Sequence, residues 1–286
     1  MICQIYVRNC IILYCVVLKK KMFIVISLTT TLVNTMCHID YNSYRSVSSY
    51  NRRVRFLVMH YTAINFSASI NALTGKEATV SAHYLVPNPL DITYQNAGFG
   101  DMRIFNLVDE NERAWHAGVS SWAGRNGLND SSIGIEIVNE ASDDKGVFTF
   151  PPYSPTQIQA LISLSKNILQ RYPDLSPTNV VGHSDIAVGR KVDPGPAFPW
   201  KALYDEGVGA WYDEDKKQKY TTKLSTGLPD KKDILAAFKK YGYAVDGEYS
   251  LLVRAFQLHF RPRRTTGVAD LETLSILFAL VEKYFK

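Results

Sequence analysis

Apolar and polar positions follow two different periods along the chain from residue 54 onward. Short apolar runs bounded by polar residues or proline predict β-strands at 54–60, 82–86, 103–108, 133–138 and 180–181. A helical period predicts helices at 66–73, closed by Gly75, and at 156–171, opened by Ser154-Pro155. Strands interspersed with helices predict a mixed α/β domain, which we place at residues 38–205.

The pattern changes after residue 205. Residues 206–228 lose their periodicity and turn polar, which predicts a linker or a peripheral arm. Residues 229–286 carry three apolar stripes at helical spacing, and Asp230 is placed to cap the first of the three helices. The other two helices are expected near 251–260 and 271–284. Three short helices predict a small separate module at the C-terminus.

The first 37 residues have the composition of a targeting segment. A basic cluster, Lys19-Lys20-Lys21, lies between apolar runs at 11–18 and 22–33. A basic stretch before an apolar run is typical of a secretory signal, and neither run reaches the roughly 20 residues that a spanning helix needs. We therefore expect a secreted or periplasmic protein. An uncleaved membrane anchor, a true start at Met22 and lipidation of Cys37 are the alternatives, and an anchor or lipid would tether the chain to a membrane.

Charge and cysteine content restrict the class of partner and the kinds of metal ligand that the chain can offer. The net charge of +5 is spread over 286 residues, without the dense basic stripe and aromatic platforms of a nucleic-acid-binding protein. A weakly acidic polymer would suit it as a partner. All four cysteines, Cys3, Cys10, Cys15 and Cys37, lie in the first 37 residues. A metal site in the body of the chain must therefore use histidine and carboxylate ligands.

The loop at 182–196 concentrates chemistry-bearing side chains. His183, Lys191 and Asp193 precede a Pro-Gly-Pro turn. A turn with a capping aspartate is the plain alternative. With His60, at the end of a predicted strand, His183 and Asp193 complete a two-histidine, one-carboxylate set that leaves catalytic zinc an open position. Such a zinc lowers the pKa of water to about 7.

Two further residues have candidate roles beside this set. Glu136 is a carboxylate inside an apolar strand, where it is costly unless paired or functional, so it is the candidate general base. Lys191 is the candidate partner of an oxyanion. The residues alone do not decide between this ligand set and one that includes His83 or His116.

Several blocks of the chain resemble the zinc-dependent N-acetylmuramoyl-L-alanine amidases, which share a fold with peptidoglycan recognition proteins. The resemblance covers roughly residues 50 to 203. It is carried by Met59-His60-Tyr61-Thr62-Ala63, Val80-Ser81-Ala82-His83-Tyr84-Leu85-Val86, Arg113-Ala114-Trp115-His116-Ala117-Gly118, Asn129-Asp130-Ser131-Ser132-Ile133-Gly134-Ile135-Glu136, and Gly182-His183 through Asp193-Pro194-Gly195-Pro196-Ala197-Phe198.

This resemblance implies a fold, an activity and a set of roles. The fold is a mixed central β-sheet flanked by helices, and the activity is hydrolysis of the amide between N-acetylmuramic acid and L-alanine in peptidoglycan or muropeptides. The ligands of the single Zn²⁺ are implied to be His60, His183 and Asp193. Glu136 is implied to be the acid/base residue and Lys191 the oxyanion partner. Trp115 and His116 are implied to line the substrate groove, with His83 a structural or cleft-lining residue.

Residues 229–286 resemble the three-helix peptidoglycan-binding domain through Val253-Arg254-Ala255-Phe256-Gln257 and Thr266-Gly267-Val268-Ala269-Asp270. A generic helical bundle is the alternative for this module. An exported amidase with such a module resembles the periplasmic subfamily. Two other functions stay open at this stage: a zinc peptidase that cuts within the stem peptide, and a non-catalytic peptidoglycan-recognition protein.

Overall fold

The structure is a computed structural model that describes residues 2–7, 11–18, 21–27, 43–44, 46, 52–144, 147–149 and 151–285. It divides into two compact units, residues 1–50 and 51–286. In the first unit, β1 (Ile2–Val7), β2 (Ile11–Leu18) and β3 (Lys21–Ser27) form an antiparallel sheet in that order. The targeting role of residues 1–37 stays a prediction, and Cys37 lies outside the described residues. In the part of the chain that is described, no helix is both long enough and apolar enough to cross a membrane.

The second unit contains the remaining elements. Its strands are β4 (Phe56–Tyr61), β5 (Tyr84–Val86), β6 (Phe105–Asn106), β7 (Ser121–Trp122), β8 (Arg125–Asn126), β9 (Ser132–Ile137), β10 (Ser142–Asp144), β11 (Val147–Thr149) and β12 (Val180–Gly182). Its α-helices are α1 (Phe66–Thr74), α2 (Ile92–Asn96), α3 (Pro155–Arg171), α4 (His183–Ile186), α5 (Trp200–Asp205), α6 (Glu214–Leu224), α7 (Lys231–Tyr241), α8 (Tyr249–Phe260) and α9 (Leu271–Tyr284).

A five-stranded sheet with the order β12-β4-β9-β5-β6 forms the frame of this unit. The first four strands are parallel and β6 is antiparallel to β5, so the mixed central sheet is confirmed. Strands β4 and β9 are buried along almost their whole length, in keeping with the apolar residues that dominate both sequences. The register pairs His60 with Glu136, and β12 ends at Gly182, directly before His183. The parallel strands therefore bring three candidate site residues, His60, Glu136 and His183, together at the carboxyl ends of the strands.

Helix α3 covers part of this sheet with the apolar face that its sequence predicts. Ile158, Leu161, Ile162 and Ile168 are buried in the common core. A buried polar residue on the same helix, Gln157, donates from Nε2 to the carbonyl oxygens of Val86 and Val138 at 3.3 and 2.9 Å. These two bonds join the helix to the ends of β5 and β9, and they supply partners for buried carbonyl groups that would be costly to leave unpaired.

The C-terminal module has the three predicted helices, and the Asp230 side chain accepts from the backbone N–H of Asp233 as a cap. It differs from the sequence interpretation because it is not separate. Its buried side chains belong to the same apolar core as the sheet and α3. Trp122 packs against Tyr243 with ring centroids 4.7 Å apart, and Trp200 stacks on His259 at 3.8 Å.

Two other sequence interpretations differ from the structure. The polar segment at 206–228 contains helix α6, which packs on α9: Tyr220 stacks on Phe278, and its hydroxyl donates to Glu282 at 2.8 Å. Tertiary contacts rather than an apolar stripe therefore stabilise this helix. The strand expected at 103–108 pairs only at Phe105–Asn106, because it is an edge strand opposite the short β5.

Candidate metal and catalytic site

Three buried side chains meet at the edge of the sheet. Nδ1 of His60 and Nδ1 of His183 are 3.0 Å apart, and each lies 3.0 Å from Oδ2 of Asp193. These three residues form the group of potential metal ligands found among the described residues. The structure therefore brings together the three residues that the sequence resemblance implied as ligands.

Three different elements position these ligands. His60 is the penultimate residue of β4, and His183 begins α4 directly after β12. Asp193 lies in the loop that follows, where its carbonyl accepts from the backbone N–H of Ser184 at 2.9 Å. That bond ties the loop back onto α4. A Cβ on Gly182 would lie 2.8 Å from Cδ of Pro194, so this close approach requires glycine.

The protonation of the ligands fits a cation between them. Burial, together with the nearby charge of His183, lowers the pKa of His60 to about 4, so the ring is neutral at pH 7. Burial opposes ionisation of Asp193, but the adjacent imidazoles of His183 and His60 hold its pKa below the usual value. A neutral His60 imidazole and an ionised Asp193 carboxylate are the protonation states in which these two groups bind metal.

Glu136 lies beside this group on β9, level with His60. Its Oε2 atom is buried and has no hydrogen-bond partner within the described part of the chain. Burial, and then the charge of Asp193, raise the pKa of Glu136 well above the usual carboxyl value, while Lys191 opposes the shift. A carboxyl group with a raised pKa in a cleft has the character of a general acid and base.

An open cleft of about 760 Å³ exposes these groups. Glu136, Lys191 and Asp193 line it from the sheet side. A further part of the lining is a face of helix α8, at the i, i+3, i+4 and i+7 positions Leu251, Arg254, Ala255 and Leu258. The C-terminal module therefore forms part of the candidate active-site cleft, which the sequence alone did not indicate.

The structure separates the three residues expected to contact substrate. Trp115 is 56% exposed, in keeping with a surface contact. His116 is buried behind the ligands, with Nδ1 3.0 Å from Nε2 of His60. His83 is 0% exposed, and its Nδ1 accepts from the backbone N–H of Gly134 at 3.0 Å. Neither ring lines the cleft described above, so the structure favours the structural role for His83, and the groove-lining role of His116 stays a prediction.

Sequence reasoning missed the polar residues that hold His116 in this position. Oγ of Ser132 lies 3.0 Å from Nε2 of His116, and Oδ1 of Asn129 accepts from the backbone N–H groups of His116 and Ala117. Both residues belong to the motif block that precedes Glu136. Their polar character beside a buried strand was the available signal, since buried polar residues need partners.

Comparisons with known proteins bear on the family of the chain. Residues 50–196 match the family model described as N-acetylmuramoyl-L-alanine amidase. N-acetylmuramoyl-L-alanine amidase AmiD of Escherichia coli is 46% identical over 239 residues, which are 81% of this chain and 84% of that protein. The 1,6-anhydro-N-acetylmuramyl-L-alanine amidase AmpD of Enterobacter cloacae is 42% identical over 104 residues, 36% of this chain and 51% of that protein.

Solved structures match over both the sheet domain and the module. AmpDh3 from Pseudomonas aeruginosa, in complex with anhydromuramic pentapeptide, has a TM-score of 0.84 and 59% identity over 87% of this chain and 99% of that chain. AmiD from E. coli, in complex with anhydro-N-acetylmuramic acid-L-Ala-D-gamma-Glu-L-Lys, has a TM-score of 0.74 and 43% identity over 85% and 93%.

Proposed function

This chain belongs to the N-acetylmuramoyl-L-alanine amidase family, and we propose that it hydrolyses its amide substrate with one zinc ion held by His60, His183 and Asp193. The bond cleaved joins the lactyl group of N-acetylmuramic acid to the L-alanine of the stem peptide. One observation carries the proposal: two imidazole nitrogens and a carboxylate oxygen converge within 3.0 Å of one another in the cleft that Glu136 also lines.

The donor set suits zinc rather than a harder cation. Two imidazoles with one carboxylate match the three-ligand set of catalytic zinc sites, whereas calcium and magnesium prefer oxygen ligands. Two of the three ligands, His183 and Asp193, line the cleft, so the site opens onto the space that a substrate would enter. When bound there, zinc supplies Lewis acidity, which makes water more acidic and polarises a carbonyl group.

Glu136 is the proton carrier in this proposal. Its raised pKa makes the carboxylate a stronger base than an exposed glutamate, so it accepts a proton from the attacking water. The same proton is then delivered to the nitrogen of the departing L-alanine, which leaves as a free amine. Because burial is the main cause of the raised pKa, closure of the cleft by substrate strengthens rather than weakens this behaviour.

Lys191 and Trp115 act on the substrate itself. The Lys191 ammonium lines the cleft near Glu136 and stabilises the negative charge that develops on the carbonyl oxygen of the scissile amide. Trp115 presents an exposed ring, a surface on which the apolar face of a sugar or peptide can pack. Because AmpDh3 and AmiD are solved with anhydromuramyl peptides, we include these muropeptides among the substrates.

The proposal is tested by product analysis. Purified protein is incubated with anhydromuramyl pentapeptide, and the products are identified by mass spectrometry. We expect free stem peptide that begins with L-alanine and an unsubstituted anhydromuramic acid. Cleavage within the stem peptide would assign a zinc peptidase instead, and binding without any product would assign a recognition protein.

Two treatments of the same protein test the residue roles. Chelation should abolish the reaction, and stoichiometric zinc should restore it. Glu136→Gln keeps the size of the side chain but cannot accept a proton, so we expect at least a 100-fold lower kcat with zinc still bound. Glu140→Gln, which changes an exposed carboxyl group four residues later, is the matched control and should retain full activity. Full activity of Glu136→Gln with restored zinc would contradict the mechanism.

The C-terminal module and the N-terminal segment extend this proposal to the cell wall. Residues 229–286 would hold the enzyme on peptidoglycan and so raise its local concentration on a polymeric substrate. Residues 1–37 would direct export to the periplasm or beyond. Pull-down with insoluble sacculi tests the first role and cell fractionation of the full chain tests the second. Absence from the sacculus pellet or retention in the cytoplasm would overturn the respective role.

A further inference from the structure

A two-residue segment, His116-Ala117, lies behind both candidate zinc-binding histidines. The ring of His116 contacts His60, with Nδ1 3.0 Å from Nε2. The next residue contacts the other ligand: the carbonyl oxygen of Ala117 lies 3.1 Å from Nε2 of His183. One short piece of chain therefore touches the outer nitrogen of each imidazole, the nitrogen that faces away from the metal position.

The hydrogen bonds behind His60 form a chain whose direction is fixed at its far end. The Ser132 hydroxyl donates to the carbonyl of Leu128 at 2.6 Å, and a carbonyl can only accept. Oγ of Ser132 is thus left to accept from Nε2–H of His116 at 3.0 Å. In a neutral imidazole the other nitrogen is an acceptor, so Nδ1 of His116 accepts from Nε2–H of His60. The lone pair of His60 is then on Nδ1, which faces Asp193.

The backbone fixes His183 in the same way. The carbonyl oxygen of Ala117 can only accept, and at 3.1 Å it lies closer to Nε2 of His183 than the Arg190 Nη2 donor does at 3.4 Å. Nε2 of His183 therefore carries the proton. The lone pair on Nδ1 again points at the candidate metal position. Arg190 donates to the same carbonyl at 2.8 Å and to that of Val119 at 2.7 Å, which holds the segment in place.

The position of this segment is set by two more residues. Oδ1 of Asn129 accepts from the backbone N–H of His116 at 3.1 Å and from that of Ala117 at 2.7 Å. Below the ring, Gly134 leaves the space that His116 occupies, because a Cβ there would lie 2.4 Å from Cγ of the ring. The rings of His116 and His60 meet edge to face at 5.0 Å. His116 has no room to turn away.

From this geometry we infer that His116 and Ala117 are positioning residues that hold both zinc-binding imidazoles in the Nε2–H tautomer, with Ser132 and Leu128 fixing the direction of the proton chain. The inference rests on the proposed function, since it concerns the ligands of the proposed zinc ion. Outer partners of this kind raise the affinity of a metal site by about 10- to 100-fold. Their effect is on metal binding and not on substrate contact.

The test measures zinc affinity by chelator competition in four variants and the wild type. His116→Leu removes the acceptor for His60, and we expect a zinc Kd about 10- to 100-fold higher. His116→Asn keeps an oxygen acceptor near the place of Nδ1 and should recover most of the affinity. Ser132→Ala removes the hydroxyl that fixes the direction of the hydrogen-bond chain, and it should raise the zinc Kd by less than His116→Leu does. Ser165→Ala is the matched control, because that serine is buried on α3 with an Oγ that has no partner among the described residues.

A second measurement needs no substitution. Two-bond proton–nitrogen spectra of the metal-free wild type report the tautomer of each imidazole, and we expect Nε2–H for His60, His116 and His183. A proton on Nδ1 of His60 or His183 would overturn the inference. So would a folded His116→Leu or Ser132→Ala protein that binds zinc as tightly as the Ser165→Ala control. If the wild type itself binds no zinc, the proposed zinc site fails instead, and the tautomer spectra still decide the inference.

Discussion

The contact between the C-terminal module and the sheet domain predicts that hydrogen bonds to Asp185 stabilise the two parts together. This aspartate is completely buried on α4, two residues after His183. The Tyr243 hydroxyl of the module donates to its Oδ1 at 2.5 Å, while Nδ1 of His259 and the backbone N–H of Gly182 each lie 2.7 Å from its Oδ2. Burial and the charge of Asp185 raise the pKa of Tyr243 well above its usual value, so the hydroxyl remains a donor at any physiological pH.

Tyr243→Phe removes this donor and nothing else. A hydrogen bond to a buried charged group contributes about 1.5–3 kcal/mol, so we expect the free energy of unfolding to fall by about 2 kcal/mol. For a unit of this size that is a decrease in Tm of about 4–8 °C, measured by differential scanning calorimetry at pH 7. Because the module and the sheet domain share one core, we also expect a single unfolding transition.

The matched control is Tyr249→Phe, the same chemical change on a half-buried tyrosine of the module to whose hydroxyl no described hydrogen bond leads. It should alter Tm by about 1 °C or less. An equal decrease in the two variants would refute the role assigned to the Tyr243–Asp185 bond. Two separate transitions in the wild type would refute the shared core.

Three further perturbations follow from the site. In metal-free protein, Glu136→Gln should raise the free energy of unfolding at pH 8 but not at pH 4 in urea titrations. Burial raises the pKa of Glu136 in the folded state. The free energy of unfolding of the wild type therefore falls by about 1.4 kcal/mol for each pH unit between the unfolded value of 4.5 and the folded pKa. An equal gain from the substitution at both pH values would contradict this. Gly134→Ala forces a methyl group against the His116 ring, so it should lower the free energy of unfolding by about 1–3 kcal/mol and raise the Kd for zinc. An unchanged free energy of unfolding and Kd would mean that the ring moves freely. Trp115→Ala should raise KM for muropeptides with kcat and Tm nearly unchanged, because the ring is exposed; an unchanged KM would remove Trp115 from the groove.

The parts of the fold predictable from the sequence are those that local pattern determines. The helix expected at 271–284 has those bounds in the structure, since Asp270 caps it and apolar residues recur at helical spacing. The run that ends at His60 predicts a buried strand, which the structure shows at Phe56–Tyr61. Parallel pairing then places His60 level with Glu136. The pattern of the two segments does not predict this pairing, and the family resemblance was what placed both residues in one site.

The parts that could not be predicted depend on contacts between distant segments. His116 has the same neighbours in sequence whether its ring faces the cleft or the core. Its direction is decided by Asn129, Ser132 and the absence of a side chain at Gly134. Helix α6 is similar, because most of its residues are polar and its apolar partner is α9, about 60 residues later. Periodicity within one segment contains no information about either contact.

The docking of helix α8 changes what the C-terminal module can mean for catalysis. Gly189, in the loop between α4 and Lys191, adopts φ +74°, and a Cβ there would lie 2.7 Å from Cδ1 of Leu251. The loop that carries Lys191 and Asp193 therefore rests directly on the module. A module that only tethered the enzyme would be removable without effect on soluble muropeptides. Here its removal would also take away one wall of the cleft and the partners of Asp185, so deletion of residues 229–286 should reduce the hydrolysis of soluble substrate as well as of sacculi.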